Sequence, residues 1–153
     1  MDPVLLDLLL GLQIFQVLFL ALHDWIPLGR LNDIAAVRAA DSFPKRFAVT
    51  LISTAPFAVG LVLSLMQRGQ PLHGFLFYWL WASYAFLFIG GLRAWWIPYL
   101  VTNEPARAAR YETMFGKTCA FLPARHGIRP NALHMLLHLS TLATLIVLAA
   151  LSR

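Results

Sequence analysis

The chain has 153 residues, of which 59% are hydrophobic and only 12% are Asp, Glu, Lys or Arg, and its mean hydropathy is +0.69. Soluble domains carry about a quarter charged residues, so this composition excludes an ordinary soluble enzyme and points to an integral membrane protein. The net charge of +5 does not mark a nucleic-acid binder, because no aromatic residues interleave with the basic ones as a stacking platform requires.

Four segments are long and apolar enough to cross a bilayer, which takes about 20 residues: 4–22, 47–66, 72–92 and 132–151. The expected fold is therefore an all-α, single-domain protein of four transmembrane helices. The first segment begins Met1-Asp2-Pro3, without a basic leader region, and no small-x-small cleavage pattern precedes His23. It reads as a retained helix rather than a signal peptide.

Orientation follows from where Lys and Arg fall. The two long connections hold Arg30, Arg38, Lys45 and Arg46, then Arg93, Arg107, Arg110, Lys117, Arg125 and Arg129, whereas the opposite side has only Arg68 and Arg153. This bias places both long loops in the cytoplasm and both termini outside, in what is expected to be the inner (plasma) membrane of a bacterium. Cys119 is the single cysteine, so there is no internal disulfide and no CxxC redox or zinc pattern.

In chain order, the first span carries Gln13, Gln16, Leu20 and His23 on one helical face. After Pro27 and Gly29, Asn32 followed by Asp33 reads as an N-cap for a short interfacial helix reaching about residue 40. The second span sets Thr50, Thr54, Phe57, Leu61 and Ser64 on one stripe beside Gly60, a pattern suited to close helix packing. The third is dense in aromatics from Phe75 to Phe88 and ends in Gly90-Gly91, with Trp95-Trp96 beyond it. That wall serves either packing and lipid contact or a hydrophobic ligand.

The second long loop opens with an echo of the first. Trp25-Ile26-Pro27 with Asn32-Asp33 recurs 71 residues later as Trp96-Ile97-Pro98 with Asn103-Glu104. The echo suggests a duplicated two-helix hairpin with two short cytoplasmic helices. Convergence on interfacial Trp, helix-stopping Pro and capping residues is the other explanation. The second short helix is predicted over 106–115, with Pro105 in its first turn and Gly116 as a left-handed terminator.

The last span carries the main candidate. Asn131, His134, His138 and Thr141 form one polar stripe on an otherwise apolar helix, and ionisable residues at membrane depth are functional candidates. If the first and last spans are neighbours, depth matching sets Gln16 against His138 and His23 against His134 or His126. Asp24, Asp33, Glu104 and Glu112 lie on the same side.

The stripe admits four readings. A lipid-like or other hydrophobic ligand would meet Arg93, Arg129, His126, Asn131, His23 and Gln16 around His134 and His138, and a histidine acting as general base would make that pocket catalytic. A metal would use His134 and His138 at i, i+4 spacing, completed by His23, His126 or an acid, although no longer metal signature accompanies them. A haem would pair His134 or His138 with His23. Alternatively the same residues are packing glue in a non-catalytic accessory subunit, held to a membrane protein partner or a second copy. Transport is disfavoured, because no carboxylate lies in the middle of any span.

Overall fold

The computed structural model describes residues 2–152. Among these residues the architecture is all-helical, with four helices long and apolar enough to cross a membrane: α1 (Pro3–Leu22), α3 (Phe43–Met66), α4 (Gly74–Leu100) and α6 (Ala132–Leu151). Two short helices, α2 (Ile34–Ala40) and α5 (Pro105–Phe115), lie in the long connections at one end of the bundle, here the loop end.

The four long helices form a closed ring in the order α1, α3, α4, α6, with α6 back against α1. Each neighbouring pair is joined by a side-chain hydrogen bond. Gln13 Nε2 donates to Ser64 Oγ (3.1 Å) between α1 and α3, and Trp79 Nε1 donates to the Pro56 carbonyl (2.9 Å) between α3 and α4. Trp96 Nε1 donates to His138 Nδ1 (3.0 Å) between α4 and α6, and Gln16 Nε2 donates to Thr144 Oγ1 (3.0 Å) and Ser140 Oγ (3.3 Å) between α6 and α1. The hydroxyls of Ser64, Ser140 and Thr144 each donate back to a carbonyl of their own helix. Their lone pairs are thereby left to the glutamine amides. Interhelical polar contacts of this kind are worth about 0.6–2 kcal/mol apiece in a membrane. Between them Leu9, Phe57, Leu80, Tyr84, Leu137 and Leu148 fill the core, and Gly60 admits Leu80, whose Cδ2 lies 2.9 Å from where a Cβ would stand.

Several local expectations change at the loop end. Gln16 does not meet His138, as depth matching had set it. It reaches Ser140 and Thr144 instead, because His138 is turned toward α4. The N-cap of α2 is Asp33, not Asn32: Asp33 Oδ1 accepts from Ala36 N (3.0 Å). The Asn32 amide is spent on the end of α1, donating to the His23 and Ile26 carbonyls while its oxygen accepts from Leu28 N. Gly116 ends α5 in right-handed geometry (φ −58°, ψ −28°). The left-handed positions in this loop are instead His126 (φ 50°) and Gly127 (φ 72°). They make a two-residue turn in which Arg125 and Ile128 exchange both backbone hydrogen bonds (2.9 and 2.8 Å), as a primed turn does.

The largest difference is the length of α4. The predicted end at residue 92 falls short, because the helix continues through a π-helical turn, Leu92–Trp96, to Leu100. Pro98 is absorbed in the continuing helix. Lacking an N–H, it cannot bond the Ala94 carbonyl four residues back. That carbonyl accepts instead from Tyr111 Oη (3.1 Å) and Arg107 Nη1 (3.2 Å) of α5. A second small core then forms at the loop end, in which Ile128, fully buried, packs with Trp95 and Tyr99.

Helices α2 and α5 pack against each other, and Arg110 of α5 meets the Asp41 carboxylate at 2.8 Å. Lys45, then Arg110, hold the Asp41 carboxyl below its ordinary value, and the Thr102 hydroxyl, then Arg107 and Arg93, do the same for Glu104. A carboxyl with a depressed folded pKa contributes stability that is present above its unfolded value and is lost as pH falls through the folded one. The melting temperature should therefore hold above pH about 4 and fall below it. Asp41→Asn should flatten that fall in a pH series of melts, and an unchanged profile would remove Asp41 from the account.

Candidate functional site

Toward the loop end α3 and α4 stand apart and leave a cleft of about 720 Å³. Val49, Ile52, Ser53, Pro56 and Phe57 of α3 line one side, and Trp79, Phe86, Leu87, Gly90, Gly91 and Trp95 of α4 line the other. His134, Leu137 and His138 of α6 close the back. Helix α6 is diagonal to α3 in the ring, so its side chains reach the cleft only where α3 and α4 separate. Ile52 and Phe86 at the rim are 73% and 80% exposed, which makes the mouth lateral. Among the described residues, no Asp, Glu, Lys or Arg lines the cleft.

The π turn positions the histidines. A π turn adds a residue to a helical turn and re-aims the side chains beyond it, often at functional sites. Here it lets two consecutive tryptophans address two histidines that are one turn apart on α6. Trp95 lies against His134 with ring centroids 4.7 Å apart, and Trp96 bonds His138.

Hydrogen bonding sets each ring's tautomer. An indole N–H only donates, so His138 Nδ1 accepts; its ring is neutral and carries its proton on Nε2. That Nε2–H has no hydrogen-bond partner among the described residues. It lies beside Gly91, whose missing Cβ would stand 2.9 Å from it. Gly90 next door has nothing within 4 Å of a Cβ position, so the wall is open there. His134 has the opposite arrangement. Asn131 Oδ1 caps α6 by accepting from His134 N (3.0 Å) and also accepts from His134 Nδ1 (2.7 Å). The ring is further enclosed by the edges of Phe19, His23 and Phe115.

These bonds bear on the metal and haem readings. Coordination through His138 Nε2 would need a lone pair there while Nδ1 still accepted from Trp96, which only an imidazolate could provide. His138 therefore does not fit as a ligand in this arrangement. His134 and His23 both direct Nδ1 to an oxygen, Asn131 Oδ1 and the Phe19 carbonyl (2.9 Å), which suits ligation through Nε2. Among the described residues, however, no three His, Cys, Asp or Glu side chains converge into a metal site. Among the described residues, a metal would find neither His138 nor a third ligand in this arrangement.

Of the predicted site residues, His134 and His138 come together on the cleft. Asn131 stands behind His134, and His23 packs edge-on to it at 5.8 Å, with Nε2 3.4 Å from Asp24. The others lie elsewhere. Gln16 is buried between α1 and α6. Arg93 is paired with Glu104 (3.0 Å) and Arg129 Nη2 donates to the Gly116 carbonyl (2.6 Å), so neither faces the cleft. His126 is exposed at the tip of its turn. Asp33 is a helix cap. Glu112, with Arg129, borders a separate small hollow beside Gly116.

Reading by sequence missed Trp96 as the partner of His138 and Ser140 and Thr144 as the partners of Gln16. The latter pair had a signal in the small-xxx-small spacing of α6. The former had none, because it depends on the π turn. No protein family, curated protein or solved structure matches this chain.

Proposed function

We propose that this is a four-span membrane protein whose lateral cleft binds a hydrophobic ligand taken from the bilayer. One observation carries this reading: an uncharged cleft of about 720 Å³, within the range of small-molecule sites, with two histidines at its inner wall. Its open side lies between α3 and α4, where the neighbouring surface is apolar (Val49, Ile52, Phe86). Neither histidine is backed by a carboxylate; Trp96 and Asn131 hold them. That favours binding over acid–base catalysis. Gln16, counted from sequence toward the pocket, instead supports the packing role that an accessory subunit would use throughout.

The Lys and Arg bias orients the protein with α2 and α5 on the cytoplasmic surface of a bacterial inner membrane and the termini outside. The cleft then lies in the inner-leaflet half. A two-span duplication belongs to the same proposal. In its favour, α2 and α5 begin 71 residues apart, at Ile34 and Pro105, and pack as a pair. Against an intact repeat, Trp25 lies beyond the end of α1 while Trp96 lies inside α4.

The test is photolabelling in liposomes with a bilayer-dissolved aryl diazirine. The parent should be labelled on the inner wall, at Leu137 and His138, as well as on outward residues such as Ile52. Gly90→Trp projects an indole into open cleft space and should abolish inner-wall labelling at an unchanged melting temperature. Labels confined to outward residues in the parent would overturn the reading.

A further inference from the structure

Resting on the ligand-binding reading, we infer that the head group taken up by the cleft is a neutral, flat, carbonyl-bearing ring, the chemistry of a prenylated quinone. Three observations converge on this class. First, no cation among the described residues lines the cleft: Arg93 is held by Glu104 and Arg129 by the Gly116 carbonyl, away from it. A phosphate or carboxylate head would be buried without a counter-charge, which is costly.

Second, among the polar groups at the wall His138 presents a donor. Trp96 fixes His138 with its proton on Nε2, and the bare Gly90-Gly91 stretch leaves that N–H uncovered. A donor that opens on an apolar cleft is best met by an acceptor on the ligand, and a ring carbonyl meets it without bringing a charge. Third, the walls are flat. Trp79 and Phe86 present aromatic rings, against which a planar head stacks better than a branched ester head does. An isoprenoid tail leaves between α3 and α4 past Ile52 and Phe86, both exposed and apolar. In this arrangement His138 binds the ring oxygen and Trp96 positions His138.

The experiment uses the full chain in liposomes with a quinone bearing two isoprene units, monitored by quenching of tryptophan fluorescence. The parent should bind saturably. His138→Phe keeps a ring but loses the donor and should weaken binding about tenfold, the equivalent of one hydrogen bond. His138→Gln should stay within about threefold, because its carbonyl can accept from Trp96 while its amide donates to the ligand. The infrared stretch of a ¹³C-labelled quinone carbonyl should shift down in the parent and in His138→Gln but not in His138→Phe. If His138→Phe does not fold, Gly90→Trp replaces it and should abolish saturable binding.

Equal, unsaturable quenching in parent and variants would overturn the inference. Displacement of the quinone by equimolar dioleoylglycerol or phosphatidic acid would overturn the head-group class, while inner-wall photolabelling would leave the cleft reading standing. Loss of that labelling as well would remove both.

Discussion

Gly91→Val should destabilise the protein by about 2–4 kcal/mol, combining overpacking with one lost hydrogen bond, whereas Gly90→Ala should be neutral or stabilising by less than about 1 kcal/mol. The two glycines are adjacent in the chain and opposite in environment. A Cβ at Gly91 would stand 2.8 Å from His138 Cδ2 and 2.9 Å from Nε2, and the imidazole is tethered to Trp96 at 3.0 Å. The ring can yield only by giving up that bond. A Cβ at Gly90 meets nothing within 4 Å. Alanine there gains helix propensity without a clash. Thermal melts of the two variants in one detergent decide the matter. Similar melting temperatures for both would mean that α4 and α6 do not approach at Gly91.

The second large effect is at Asn131, which is 1% exposed and uses one oxygen twice. Its Oδ1 caps α6 and also orients His134. Removing an N-cap costs about 0.5–2 kcal/mol, and leaving the His134 Nδ1–H buried without its partner adds about 1–3 kcal/mol. Asn131→Ala should thus cost about 2–3 kcal/mol and free the ring of His134. Asn131→Ser separates the two roles, since a serine hydroxyl caps a helix but is shorter than the asparagine amide. It should recover about half the lost stability, while the His134 ring resonances of the NMR spectrum remain those of the alanine variant. Full recovery of both would show that the ring is held by its aromatic neighbours alone.

Part of the candidate site was legible in the chain. His134, His138 and Asn131 share a face because 3.6 residues make a turn, and no tertiary contact is needed to place them there. Depth along two antiparallel helices set His23 against His134 or His126, and of these it is the His134 ring that lies 5.8 Å from it. The same depth argument failed for Gln16, because it fixes height and not azimuth. His138 turns toward Gly91 and Trp96 on α4, leaving Ser140 and Thr144 to receive the glutamine. Arg93 and Arg129 shared an end of the molecule with the histidines, yet each found a partner outside the cleft. Position along the bundle axis is a one-dimensional property, whereas a binding site needs direction as well.

By itself the sequence determined four apolar helices, their alternating direction, the basic bias of the long connections and the polar stripe of the last helix. Each depends on local composition or on helical period, both of which are written along the chain. The tertiary structure decided the ring order, the extension of α4 to Leu100 and the cleft between α3 and α4. The span was expected to end at residue 92, before the charge of Arg93, and Pro98 is a further obstacle to a longer helix, since a missing N–H leaves the Ala94 carbonyl unsatisfied. Tyr111 and Arg107, on a helix more than ten residues further on, supply the donors. A helix can run through proline when another element satisfies the carbonyl, and that compensation exists only once the chain has folded.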